Sequence, residues 1–187
     1  MPTPPCRNSL HTLTLCALFA ALVSVLSPIA IPLGPVPVSL GLLGVLITAV
    51  TLSPLQSAVA VGVFLAIGLC GLPVFSGGGS GAMILVGPTG GYLWSYLLCA
   101  PLVSCLARIM KPSRVPVGAF LACLVGTLAC YACGTLQYCI LTHTQPLPAL
   151  LVCVLPFLPF DLLKAAAAAY LGTRLRPLVT LKQRHGR

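Results

Sequence analysis

Acidic side chains are almost absent from this sequence: Asp161 is the only Asp or Glu in 187 residues. Charge of either sign is scarce, at 6% of residues, and the run between Arg7 and Arg108 holds no Lys, Arg, Asp or Glu. These absences exclude several chemistries. Intramembrane aspartyl hydrolysis and carboxylate acid–base pairs both need two acids. There is no Gly-x4-Gly-Lys-Ser/Thr phosphate loop, so the chain is not expected to hydrolyse ATP. His11, His143 and His185 suggest no Ser-His-Asp arrangement and form no cluster with the cysteines. No metal site is expected from that inventory. Gly77-x-Gly79-x-x-Ala82 matches a dinucleotide fingerprint by letters alone, without the strand-turn-helix setting that gives the motif its meaning. An enzymatic role is therefore not expected.

Apolar sequence fills the space that charge leaves. The composition is 58% hydrophobic, with a mean hydropathy of +1.08. A water-soluble domain of this size could not hide so much apolar surface. The uncharged stretch from Arg7 to Arg108 has room for roughly four spans of about 20 residues. The stretch from Val115 to Leu171, interrupted only by His143, Asp161 and Lys164 among strongly ionisable groups, has room for two more. The expected fold class is an all-α integral membrane protein: a single membrane domain with six transmembrane helices, near 10–26, 38–52, 54–70, 92–109, 115–141 and 149–171, followed by a basic tail over 174–187. An N-terminal signal peptide would resemble Leu13–Val25, but the apolar pattern continues along the whole chain, which favours a retained first span.

The net charge of +9 does not point to nucleic acid. The positives sit at Arg7, in Arg108-Lys111-Arg114, and in a tail with Arg174, Arg176, Lys182, Arg184 and Arg187, with no interleaved stacking aromatics. Basic flanks of this kind orient membrane spans, with Lys and Arg kept on the cytoplasmic side. Four spans between the first and second clusters and two between the second and third put all three on one side. Both termini are thus expected in the cytoplasm. The ten cysteines are scattered through apolar segments and read as small hydrophobes.

Proline and glycine mark the outer connections. Pro28, Pro32, Pro35 and Pro37 forbid a continuous helix over 28–37, and residues 71–91 are rich in Gly. Irregular backbone at membrane depth is tolerated only where it packs on protein or lines a cavity. These segments are expected to roof an outward-facing pocket. Asp161 and Lys164, three residues apart, share a helix face. A charge in hydrocarbon costs several kcal/mol, so such a pair is expected either to neutralise itself or to meet a ligand in the bundle interior. The run Ala165–Ala169 offers little bulk, which lets another helix or a ligand approach closely.

Four strings occur in order: Val36-Pro37-Val38-Ser39-Leu40 with Leu43-Gly44-Val45-Leu46; Gly71-Leu72-Pro73-Val74-Phe75; Gly87-Pro88-Thr89-Gly90-Gly91-Tyr92-Leu93; and Pro156-Phe157-x-Pro159-x-Asp161-Leu162-x-Lys164-Ala165. Together they make the chain resemble the BioY family, the biotin-binding S components of energy-coupling-factor (ECF) vitamin transporters, over roughly residues 12–172. The resemblance implies a six-helix S-component bundle in the cell membrane, with biotin as ligand and no cofactor. It implies that Asp161 and Lys164 line the biotin site, helped by Ser76, Gly78, Ser80, Thr89 and Tyr92, under a lid loop that contains Pro35 and Pro37. It also implies a transmembrane coupling protein and ABC-type ATPases as partners, docking on the small-residue face of Ala17 and Ala21. Two positions depart from the family pattern. Gly41 stands where Gln is frequent, which would remove a polar wall, and Phe160 stands where Gly is frequent, which would add bulk beside Asp161. An S component for another small vitamin, or a small integral membrane enzyme, is the alternative.

Overall fold

The computed structural model describes residues 6–31, 37–110, 116–155 and 157–184. Eight α-helices follow one another among these residues. They are α1 (Cys6–Leu26), α2 (Gly41–Thr51), α3 (Pro54–Leu69), α4 (Ala82–Val86), α5 (Gly90–Ile109), α6 (Val117–Thr142), α7 (Pro146–Cys153) and α8 (Leu158–Arg184). The two ends of the Pro-rich segment meet: Ala30–Ile31 (β1) and Val38–Ser39 (β2) pair antiparallel, Ala30 opposite Ser39 and Ile31 opposite Val38. Pro35 lies outside the described residues.

Helix α2 is the hub. Ten of its residues, from Gly41 to Thr51, are buried, and it packs on α8, α5 and α1. Its contact with α8 is close because Gly172 has no side chain: a Cβ there would lie 2.6 Å from Val50. The turn into α3 is held by local chemistry. Ser53 caps α3 by accepting from the Gln56 amide at 3.4 Å, while Gln56 Oε1 accepts from the Ser53 amide at 3.2 Å. Pro54 opens the helix, where its missing N–H costs nothing. The Leu52 carbonyl at this turn accepts from Ser104 Oγ of α5 at 2.6 Å. A buried polar end that would otherwise cost free energy is thereby satisfied.

The Gly-rich segment folds back onto the bundle. Phe75 is fully buried and meets Phe64 edge-on, ring centroids 5.7 Å apart. Its ring occupies the place where a Cβ on Gly68 would stand. A 3₁₀ turn, Ser76–Gly78, follows, with Gly77 at φ +70°, a conformation that glycine adopts without steric cost.

Large apolar side chains cover the outside of the long helices: Leu13 and Leu18 on α1, Val59 on α3, Leu98 on α5, Leu128 and Leu136 on α6, Leu163 on α8. Exposed hydrophobics over so many faces have no place in water and fit lipid. This is a membrane protein. Helices α5 and α6 are long and apolar enough to cross a bilayer, whereas Leu10–Leu26, Gly41–Thr51 and Pro54–Leu69 are apolar but shorter.

The end of the chain departs most from the sequence expectation. In place of one helix over 149–171 there are two, α7 and α8, broken after Cys153. The segment Pro156-Phe157-x-Pro159 explains the break, since proline removes a helical donor and restricts the residue before it. Helix α8 then runs on to Arg184, so most of the segment expected to be a tail is helical, with Pro177 inside it.

Candidate functional site

Where α2, α5, α6 and α8 approach β2 and the Gly-rich segment, they enclose a cavity of about 180 Å³. Its polar centre is the ion pair of α8. Lys164 Nζ donates to Asp161 Oδ1 at 2.7 Å and to the Ser39 carbonyl at 2.8 Å. Tyr131 of α6 donates its phenolic O–H to Asp161 Oδ2 at 2.6 Å. Both charged residues are buried, at 6% and 7% exposure, so neither snorkels to an interface. Each oxygen of the carboxylate has a partner, which is the condition under which a buried pair is tolerable. The network ties together three elements far apart in sequence: the foot of the hairpin, α6 and α8.

The Gly-Pro-Thr-Gly-Gly-Tyr string forms the opposite wall, and its residue choices have steric reasons. Gly90 lies against the Leu85 carbonyl too closely for any Cβ. A Cβ on Gly91 would lie 2.8 Å from the Cys133 carbonyl of α6. Tyr92 then lays its ring over Gly134, where a Cβ would collide with it, and its hydroxyl is 3.4 Å from Thr135 Oγ1. Gln137 of α6 clamps the segment by donating to the carbonyls of Leu85 (3.1 Å) and Gly87 (2.8 Å). The string lets α5 and α6 approach closely and aims Tyr92 at the cavity.

Of the residues expected at the site, Asp161, Lys164, Tyr92, Thr89, Ser76 and Pro37 line this cavity together. Gly78 and Ser80 do not. Gly78 is exposed at φ +78°, and Ser80 is half-buried, four residues after the lining Ser76 and past the end of the 3₁₀ turn. They shape the loop rather than the wall. Ser76 Oγ is buried and has no hydrogen-bond partner among the described residues. Phe160 is 43% exposed and is absent from the cavity lining, so it does not crowd Asp161 as expected. A helix turns about 100° per residue, and one step from Asp161 is enough to face away. Gly41 does not line the cavity either. Its bare Cα sits where a Cβ would lie 3.0 Å from Ser27 Oγ and 3.2 Å from Ser39 Oγ.

Several lining residues were not singled out in the sequence. Tyr131 and Tyr96 supply hydroxyls, while Val38, Leu42, Leu93 and Phe157 supply apolar walls. A signal for Tyr131 existed: a phenol in the middle of an apolar helix needs a partner. The sole carboxylate of the chain was the available one. Val38, Leu93 and Phe157 stand in the strings that carry the family resemblance, but residue type alone did not mark them, or Leu42, as facing a cavity and not lipid.

A largely apolar cavity with few convergent polar groups is the ordinary form of a small-molecule site. The BioY family model matches residues 3–181. The chain belongs to the BioY family. It is 39% identical over 169 residues to a Lactococcus lactis protein named biotin transporter BioY2, covering 90% of this chain and 92% of that one. It is 37% identical over 162 residues to the biotin transporter BioY of Thermotoga maritima, covering 86% and 93%. The fold superimposes on the crystal structure of an S-component for biotin from an ECF-type ABC transporter with a TM-score of 0.85, at 30% identity, over 94% of this chain and 95% of that one. At that similarity the bundle is a shared architecture.

Proposed function

We propose that this chain is the biotin-binding transmembrane subunit, the S component, of an ECF-type vitamin uptake transporter. The observation that carries the reading is the buried Asp161–Lys164–Tyr131 network at the wall of the cavity in a BioY-family fold. Biotin carries a ureido ring with two N–H donors and a polar carbonyl, an apolar thiophane ring, and a chain ending in a carboxylate. Asp161 retains lone pairs beyond those used by Tyr131 and Lys164, and Lys164 has a third N–H after Asp161 and Ser39. Asp161 would accept from the ureido nitrogens, Lys164 would donate to a ligand oxygen, and Ser76 would supply a hydroxyl. Tyr92, Leu93 and Phe157 would cover the apolar ring. Equilibrium binding of labelled biotin to the purified chain tests this directly. Saturable one-to-one binding that excess unlabelled biotin displaces, and that riboflavin and thiamine do not, is expected; displacement by those vitamins with no preference for biotin would overturn the assignment.

In this reading α1, α2, α3, α5, α6 and α8 are the six membrane-crossing elements of a multi-pass cell-membrane protein with cytoplasmic termini. Helix α2 rises only about 16 Å, roughly half the hydrocarbon thickness. The hairpin and the cavity fill the remaining depth on the outer side. Arg108, Arg174 and Arg176 stand at the opposite end, as basic residues on the cytoplasmic side should. The hairpin would close over the bound vitamin, Pro37 forming its inner edge. Hydrogen–deuterium exchange at the amides of Ile31, Val38 and Ser39 is expected to slow at least about tenfold at saturating biotin, since exchange reports local opening. Unchanged exchange would mean that the hairpin is a fixed wall.

Energy for uptake would come from outside the chain, which has no nucleotide-binding motif and one carboxylate. Ala17 and Ala21 lie on the exposed face of α1, four residues apart and free of the internal core. Small residues at that spacing permit close helix approach, which supports this face as the dock for a transmembrane coupling protein served by ABC-type ATPases.

A further inference from the structure

One wall of the cavity is a stretch of chain that cannot hold its own shape. Ile84, Thr89, Tyr92 and Leu93 all line the cavity, and all belong to α4 or to its junction with α5. Helix α4 has five residues, begins after Gly81 at φ +86° without a side-chain cap, and ends at Gly87, where the backbone turns extended. A helix of little more than one turn does not repay its nucleation cost. Its own packing is thin, since Leu85 is buried but Met83 and Val86 are exposed. Contacts from elsewhere must fix this wall.

Gln137 of α6 supplies two of them. Its Nε2 donates to the carbonyls of Leu85 and Gly87, at the end of α4 where helical donors run out. Trp94 Nε1 donates to the same Leu85 carbonyl at 3.3 Å. Two glycines leave room for the Gln137 side chain. A Cβ on Gly90 would lie 2.8 Å from Gln137 Nε2, and one on Gly91 would lie 2.7 Å from the Gln137 Cβ. Six residues earlier on the same helix, Tyr131 holds Asp161. Helix α6 thus ties down both sides of the cavity, Asp161 through Tyr131 and the α4–α5 corner through Gln137. Gln137 itself is not among the lining residues.

We infer that Gln137 is a positioning residue for the ligand: it fixes the wall over 84–93 against α6 and thereby sets how long biotin stays bound. This role presupposes the biotin-binding reading of the cavity. Without the clamp, part of the binding energy goes into ordering the wall. Affinity changes among variants of one site fall mostly on the dissociation rate.

Dissociation kinetics of labelled biotin from the purified full chain test the role. Gln137→Met fills the same space without an N–H donor. Its dissociation rate should rise about tenfold, the weight of roughly one net hydrogen bond, with the association rate within about threefold of wild type. Gln137→Lys puts N–H donors back on a chain of similar reach and should recover at least part of the retention. The amides of Gly87 and Gly90, which donate to the carbonyls of Met83 and Gly87, should exchange with deuterium faster in ligand-free Gln137→Met. Amides in the buried part of α8, such as Ala168, should keep wild-type rates. Trp94 is the one tryptophan of the chain and shares an acceptor with Gln137, so its emission should shift as well. A dissociation rate in Gln137→Met within about twofold of wild type overturns the inference and leaves biotin binding intact. So does faster exchange spread evenly through α5, α6 and α8, which would make Gln137 a support of the whole bundle. If Gln137→Met does not elute as a folded particle, Trp94→Phe, at an exposed position, removes the other donor to the Leu85 carbonyl. It should raise the dissociation rate about twofold, and no change in it counts against the clamp. Wild type that binds no biotin at all would instead overturn the reading of the cavity, and this role with it.

Discussion

Asp161→Asn is expected to weaken biotin binding by about tenfold or more, because a hydrogen bond to a charged group contributes roughly 1.5–3 kcal/mol. The structure sharpens the reason. The carboxylate accepts from Tyr131 at 2.6 Å and from Lys164 at 2.7 Å. An amide of the same shape has one acceptor atom: with Oδ1 kept for Lys164, its N–H groups face the Tyr131 hydroxyl, which must then accept where it donated before. Lys164 keeps the Ser39 carbonyl but loses its counter-charge. Removing one member of a buried pair costs about 3–5 kcal/mol, so thermal stability should fall as well. Two variants separate the effects. Asp161→Asn/Lys164→Met removes both charges and should recover much of the stability without recovering affinity. Tyr131→Phe keeps the pair and should lower affinity less than Asp161→Asn does. The measurements are biotin affinity by isothermal titration and melting temperature in detergent without biotin. Wild-type affinity in Asp161→Asn would falsify the assigned role of the carboxylate.

Ala17→Leu/Ala21→Leu should abolish co-purification with the ECF coupling protein while biotin affinity stays within about twofold of wild type. The two alanines are exposed on α1 and take no part in the core, whereas Cys16, Phe19, Ala20 and Val23 of the same helix are buried. Leucine at both positions adds several methylenes to a face that must approach another helix closely, and overpacking of that kind forces the partners apart. The cavity draws its walls from other elements and has no lining residue on α1. Lost association with retained affinity is the expected pair of results. Undiminished association would move the docking face elsewhere, and lost affinity would show that α1 shapes the cavity after all.

Much of the design was legible from residue types. Lone carboxylates and lysines in apolar sequence are costly, so Asp161 and Lys164 could be picked out before any contact was known. The Gly-Pro-Thr-Gly-Gly-Tyr string could be recognised, but its purpose is tertiary. Gly90, Gly91 and Gly134 are small because backbone, Gln137 and the Tyr92 ring occupy the space where side chains would stand. The failures have physical causes too. Phe160 and Asp161 are adjacent in sequence yet face different surroundings, because neighbours on a helix point about 100° apart. Gly78 and Ser80 sit in the right loop, but left-handed glycines on either side of them turn the backbone so that only Ser76 meets the cavity.

Composition and spacing by themselves determined that this chain lives in a bilayer, where irregular backbone breaks its helices, and which two charged residues need a reason to be buried. Those properties follow from the transfer of each side chain and each peptide group out of water, which depends on local sequence. Tertiary structure alone decided which of many similar leucines and tyrosines face the cavity, that Tyr131 completes the ion pair, and that Arg176 reaches the Ala107 carbonyl. These are contacts between residues 30 to 69 positions apart, and helix rotation and close packing at glycines choose them, not periodicity along one segment.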